Sequence, residues 1–128
     1  MTHHTAQEIA VANEKLGLLK RLDKQNICSS NFPWLITQVS PWDMKLKITS
    51  KSVKVFNQSA LYTIQRTVAK DKLRSMVSNP KYLLASPCPE VIRVDGVDMI
   101  YNGHHRLASF WLYGKTEVEC TFLEAERI

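Results

Sequence analysis

Val91-Ile92-Arg93-Val94-Asp95-Gly96-Val97-Asp98-Met99-Ile100-Tyr101-Asn102-Gly103-His104-His105-Arg106-Leu107-Ala108 decides how this chain folds. Asp95-Gly96 between two apolar runs is a strong two-residue hairpin signal, so residues 91–94 and 99–101 are expected to form two antiparallel strands. Gly103 interrupts the second strand. Leu107, Ala108, Trp111 and Leu112 then recur with helical period as far as Gly114, a natural residue just past a helix C-terminus. A strand, a tight turn and a short helix therefore follow one another.

That order has chemical meaning. A glycine between strand and helix lets the backbone turn with positive φ and leaves amide N–H groups pointing outward at the helix start, where the helix dipole favours an anion. Arg106 adds a guanidinium able to grip phosphate oxygens at two points. His104 and His105 could donate to the same phosphate or move a proton near neutral pH, which makes them the candidate general acid/base groups. The competing reading pairs Arg106 with Asp95 or Asp98 and leaves the histidines as helix caps. A metal site built from Asp95, Asp98, His104 and His105 is not expected, because adjacent histidines point apart and no HxH or HxxxH spacing is present.

Downstream, Val118, Cys120 and Phe122 alternate with Glu117, Glu119 and Thr121, marking a closing strand with one buried face. Upstream, Pro87-Cys88-Pro89 stiffens the approach to the hairpin. Leu73, Met76 and Val77 predict a helix over residues 69–77, stopped by Ser78-Asn79-Pro80. Residues 61–66 are ambiguous. Residues 51–56 put Val53 and Val55 on one face of a strand and lysines on the other, an edge or one-sided strand.

Thr5-Ala6-Gln7-Glu8 has the form of a capping box, and Ile9, Ala12, Leu16, Leu19 and Leu22 continue an apolar stripe to about Asp23. This helix should pack on the rest of the chain, or else on a second protomer to make a homodimer. Pro33-Trp34-Leu35-Ile36 could open a short helix before Ser40-Pro41-Trp42-Asp43 breaks the pattern. The expected organisation is an N-terminal helical extension over residues 1–43 and a main unit over residues 44–128.

The 128 residues suit one domain with a real core, and 45% hydrophobic and 23% charged residues are ordinary for a globular protein. No apolar run approaches the roughly 18 residues needed to cross a bilayer, and the start of the chain lacks a secretory signal pattern, so no membrane partner and a cytoplasmic location are expected. Cys28, Cys88 and Cys120 are odd in number and widely spaced, which suggests reduced, mostly buried thiols. The net charge of +5 is unevenly placed: residues 41–81 hold nine Lys and Arg against two acids. Such a field attracts polyanions, with Lys45, Lys47, Lys51, Lys54 and Lys70 as candidate nucleic-acid contacts.

The run 91–108, then Gly114-Lys115 and the strand to Phe122, resembles the ParB/sulfiredoxin superfamily, and looks most similar to the short "ParB-like nuclease" domains of phage and plasmid genomes. Val53-Lys54-Val55, Gln65-Arg66-Thr67-Val68 and the following helix look like the first strand, glutamine turn and first helix of such domains, so the resemblance spans roughly residues 51–124. It implies an α+β fold, a small mixed sheet with flanking helices, in which Asn102, Gly103, His104, His105 and Arg106, with Gln65, Arg66 and Thr67, bind a nucleotide or nucleic-acid phosphate. A nucleoside triphosphate with a divalent metal ion is the cofactor it suggests, and a bacterial host cell the setting if the chain is phage-encoded.

Departures from the family pattern narrow the options. Sulfiredoxins carry a nucleophilic cysteine where this chain has His104, so their chemistry is not expected. Neither a Glu-Asn-x-x-Arg motif nor a helix-turn-helix follows before Ile128, so a whole segregation protein is not expected either. Gln65 stands near the glutamate of the kinase members, and Arg66 is displaced by one from the usual Gln-x-Arg, which puts kinase activity and the role of Arg66 in doubt. Two functions stay open: a phosphate-binding protein with nuclease or phosphotransfer activity, and a non-catalytic factor that grips a host protein. Trp34 and Trp42 are candidate interface anchors for the second, with core packing as the commoner use of such residues.

Overall fold

The computed structural model describes residues 4–85 and 87–128. Helix α1 (Ala6–Gly17) is followed by strands β1 (Asn26–Cys28), β2 (Leu35–Ile36), β3 (Leu46–Asn57), β4 (Tyr62–Thr63) and β5 (Thr67–Ala69). Helices α2 (Lys70–Ser78) and α3 (Pro80–Ala85) lead to the hairpin β6 (Glu90–Val94) and β7 (Val97–Asn102), then α4 (His104–Leu112) and β8 (Glu117–Arg127). The result is a mixed α+β fold. Six strands form one sheet in the order β2-β4-β7-β6-β8-β3, and β1 pairs with β5 as a separate two-stranded ribbon.

Local chemistry explains most of these elements. Asp95 and Gly96 both take positive φ, 53° and 77°, the combination a tight primed hairpin turn needs, and β6 and β7 pair antiparallel across it. After β7, helix α4 crosses back so that β8 lies parallel to β6, while β3 pairs antiparallel with β8 over most of its length. The Thr5 hydroxyl accepts from the Glu8 amide and the Glu8 carboxylate accepts from the Thr5 amide, so the capping box at α1 is complete.

One face of the sheet is covered by α1, α2 and α4. Ala12, Leu16, Leu73, Val77, Leu107 and Leu112 from these helices share a cluster with Val91, Ile100, Cys120 and Phe122 of the sheet. The opposite face carries a smaller cluster of Ile92, Val94, Met99, Leu123 and Ala125, partly covered by Met44 and Leu46.

Several expectations need correcting. The first helix ends at Gly17 rather than near Asp23, and Leu22 lies exposed in the following loop. Residues 35–36 form an edge strand, not a helix, because Leu35 and Thr37 donate to the carbonyls of Leu61 and Thr63 beside them. Ile27, Phe32 and Trp34 belong to the same cluster as residues of α2 and α4. Pro80 ends one helix and opens another, the position where its missing N–H costs nothing. On β3, Val53 and Val55 are 63% and 54% exposed, since the face they share has no layer over it at that end. Phe56 instead turns under the helices, and Lys54 lies over the rings of Phe56 and Phe122.

Trp34 is a core residue. Its Nε1 donates to Gln58 Oε1 at 3.0 Å, and Gln58 Nε2 donates to the carbonyls of Leu107 and Lys115. This fully buried glutamine ties Trp34 before β2, helix α4 and the loop before β8 together at once. Trp42, by contrast, is 62% exposed and stacks on Tyr101 with ring centres 4.4 Å apart. No helix among the described residues is long and apolar enough to cross a membrane.

Candidate functional site

Gly103 sits at the N-cap of α4 with φ 96°, a conformation side chains disfavour. A Cβ built there would lie 2.9 Å from both the Cα and the Cβ of Pro89, so the residue must be glycine on two counts. The first bond of α4 runs from Leu107 N–H to the Gly103 carbonyl, leaving the amides of His104, His105 and Arg106 without an acceptor in the helix. These three amides and the helix dipole form an anion-attracting end.

The turn opens into a cavity of about 440 Å³. Its lining includes Asn102, Gly103, His104, His105 and Arg106 from the turn, and Gln65 from the loop before β5. Lys72, Ser75 and Met76 contribute from α2, with Tyr82 of α3 and Pro87. Among the described residues no aspartate or glutamate lines it. Arg106 Nη1 donates to the Pro87 carbonyl at 2.6 Å, which tethers the guanidinium beside Gly103. Among the described residues Arg106 makes no ion pair: Asp98 binds Arg93, at 2.6 and 2.9 Å, and Asp95 binds Arg127 at 2.7 Å. The competing pairing of Arg106 with either acid is absent among the described residues, and its charge faces the cavity uncompensated by a carboxylate.

The histidines diverge, as adjacent helix residues do. His104 Nε2 lies 2.8 Å from the buried Thr63 hydroxyl, with the ring edge-on to Trp34. Burial, reinforced by the neighbouring His105, lowers its pKa to about 4. His105 Nε2 accepts from the Ala69 amide at 2.9 Å, and since Ala69 is the N-cap of α2, the imidazole does for that helix what a capping side chain does. Burial first and the Lys72 charge second lower its pKa as well. Both rings are thus neutral at pH 7 and committed to packing and hydrogen bonds that align α4 with β4 and α2. Asp95, Asp98, His104 and His105 are not brought together, and no group of three metal-ligating residues occurs among the described residues.

Of the glutamine-turn residues, only Gln65 lines the cavity, with its side-chain amide donating to the Thr67 carbonyl. Arg66 is exposed, and Thr67 pairs with Cys28 in the β1–β5 ribbon, so neither reaches the site. Lys45, Lys47, Lys51 and Lys54 lie on or beside β3, the edge strand three positions from β7 in the sheet, and none lines the cavity. Lys70 starts α2, and Lys72, two residues on, supplies the cavity's second permanent positive charge. Sequence reasoning missed Lys72, Ser75 and Met76 as site residues, although their i, i+3, i+4 spacing places them on one face of the helix it expected. Tyr82, Pro87 and Thr63 gave no signal. The three thiols are free; Cys120 is buried, which pushes its pKa up to about 12.

Comparison with known proteins finds no matching family model, no matching curated protein and no matching solved structure.

Proposed function

We propose that this chain binds a phosphate-bearing ligand, a nucleotide or a nucleic-acid phosphate, at the start of α4, as its resemblance to the ParB/sulfiredoxin superfamily implies. One observation carries the reading: a cavity whose lining combines Arg106, Lys72 and an open helix N-terminus, with no carboxylate among its lining residues. Phosphate recognition needs fixed positive charge and outward amides, and a lining carboxylate would oppose it. The β7–turn–α4–β8 order and Gln65 at the cavity wall agree with a ParB-like arrangement.

The lining fits the anionic part of a nucleoside triphosphate but offers no carboxylate to a divalent ion, which would have to be held through the phosphates and water. Nuclease or phosphotransfer activity would require His104 or His105 to exchange a proton. Their hydrogen bonds and lowered pKa favour a positioning role, so binding is the better-supported function.

The test is a binding panel of labelled mononucleotides and short DNA against wild type and Arg106→Ala. Loss of at least tenfold in affinity in the variant is expected for the ligand that wild type binds. Equal binding by both proteins removes the site.

A further inference from the structure

We propose that the surface around Leu18 and Leu22 docks an acidic amphipathic segment of another protein. Leu18, the C-cap of α1, is 81% exposed and Leu22 is 69% exposed. Neither lies in a loose loop. Cys28 N–H donates to the Lys20 carbonyl at 3.0 Å and Leu22 N–H to the Asn26 carbonyl at 2.9 Å. The Asn31 side chain accepts from Lys20 N–H at 2.8 Å and donates to its carbonyl at 2.9 Å. Asp23 Oδ1 accepts from the amides of Gln25 and Asn26 and so closes the turn. Two apolar side chains are therefore held out to water by a built platform.

Leu18 also lines a groove of about 410 Å³ between the end of α1 and the end of α4, together with Leu19, Trp111 and Leu112. Lys15 lines the groove, and in the segment 14–24 that carries the two leucines Lys15, Lys20, Arg21 and Lys24 outnumber Glu14 and Asp23. An apolar seam with a basic rim fits a helix whose leucine-type anchors recur at three- and four-residue steps and whose flanks are Asp and Glu. A second copy of this chain fits badly, because a two-fold contact would bring the same cations together.

The test is selection from a random-peptide phage library on wild-type protein, with counter-selection on a Leu18→Asp, Leu22→Asp double variant. Both leucines are exposed, so the variant should keep the wild-type melting temperature. Enriched peptides with apolar pairs at helical spacing and acidic flanks are expected. A synthetic copy should bind the double variant at least tenfold more weakly, and wild type more weakly as salt rises. The proposal is overturned by no enrichment, by peptides without acidic bias, or by equal binding to both proteins. It is equally overturned if the leucines instead mediate a dimer seen in sedimentation, or cosedimentation with phosphatidylserine vesicles.

Discussion

Gly103 and the two histidines after it show how tightly single residues hold this site. Gly103→Ala must carry a Cβ into Pro89 at positive φ, and strain of that kind costs about 1–3 kcal/mol before the overlap is counted. A lowered melting temperature is expected, with loss of ligand binding; an unchanged melt would mean the turn relaxes freely. His104 gives a pH signature. An unfolded imidazole takes its proton near 6.5 and the buried one near 4, so between these values the unfolded chain holds more protons. Its contribution is complete above about pH 6.5 and falls with pH through this window, losing about 2 kcal/mol by pH 5, since one pKa unit is about 1.4 kcal/mol. Thermal melts at pH 7 and pH 5 should differ by more in wild type than in His104→Gln; equal differences would contradict the burial argument. The turn itself was legible in the sequence, because a glycine flanked by strand and helix patterns has few other uses. The partners of the histidines were not, since Thr63 and Ala69 are distant in sequence and reach them only through packing.

At the scale of elements, helix α2 and the buried Gln58 decide whether the cavity keeps its shape. His105→Ala removes the acceptor for the Ala69 amide at the start of α2 and should cost about 1–2 kcal/mol, with weaker ligand binding because Lys72 sits in the following turn. Gln58→Leu leaves Trp34 Nε1 without its acceptor in the core and takes a donor from the Leu107 and Lys115 carbonyls, and a loss of about 1–3 kcal/mol is expected in urea unfolding. A neutral result at Gln58 would mean water replaces it. The hairpin, α2, α4 and β8 follow from local periodicity and turn chemistry, so they could be read early. Strand β2 could not: its two residues are strands only because β4 lies beside them. The exposure of Val53 and Val55 was equally hidden, because alternation on an edge strand does not say which face the helices will cover.

For the molecule as a whole, the cations of the basic middle third prove to be dispersed. Lysines 45, 47, 51 and 54 follow the edge strand β3, where they also discourage edge-to-edge pairing, while Lys72 joins Arg106 at the cavity. Replacing Lys51 and Lys54 by serine should leave mononucleotide affinity within about twofold, whereas DNA binding that uses the strand would weaken with a smaller salt dependence. Charge counts along the chain gave the sum but not this division, which depends on strand order. The central claim, that the start of α4 holds a phosphate, is tested most directly by amide chemical shifts in ¹⁵N-labelled protein titrated with ATP and with a 5′-phosphorylated DNA oligonucleotide. Shifts concentrated at Gly103, His104, His105, Arg106 and Lys72 are the predicted result for at least one of them. No saturable shifts with either probe, or shifts confined to the β3 lysines, would contradict it.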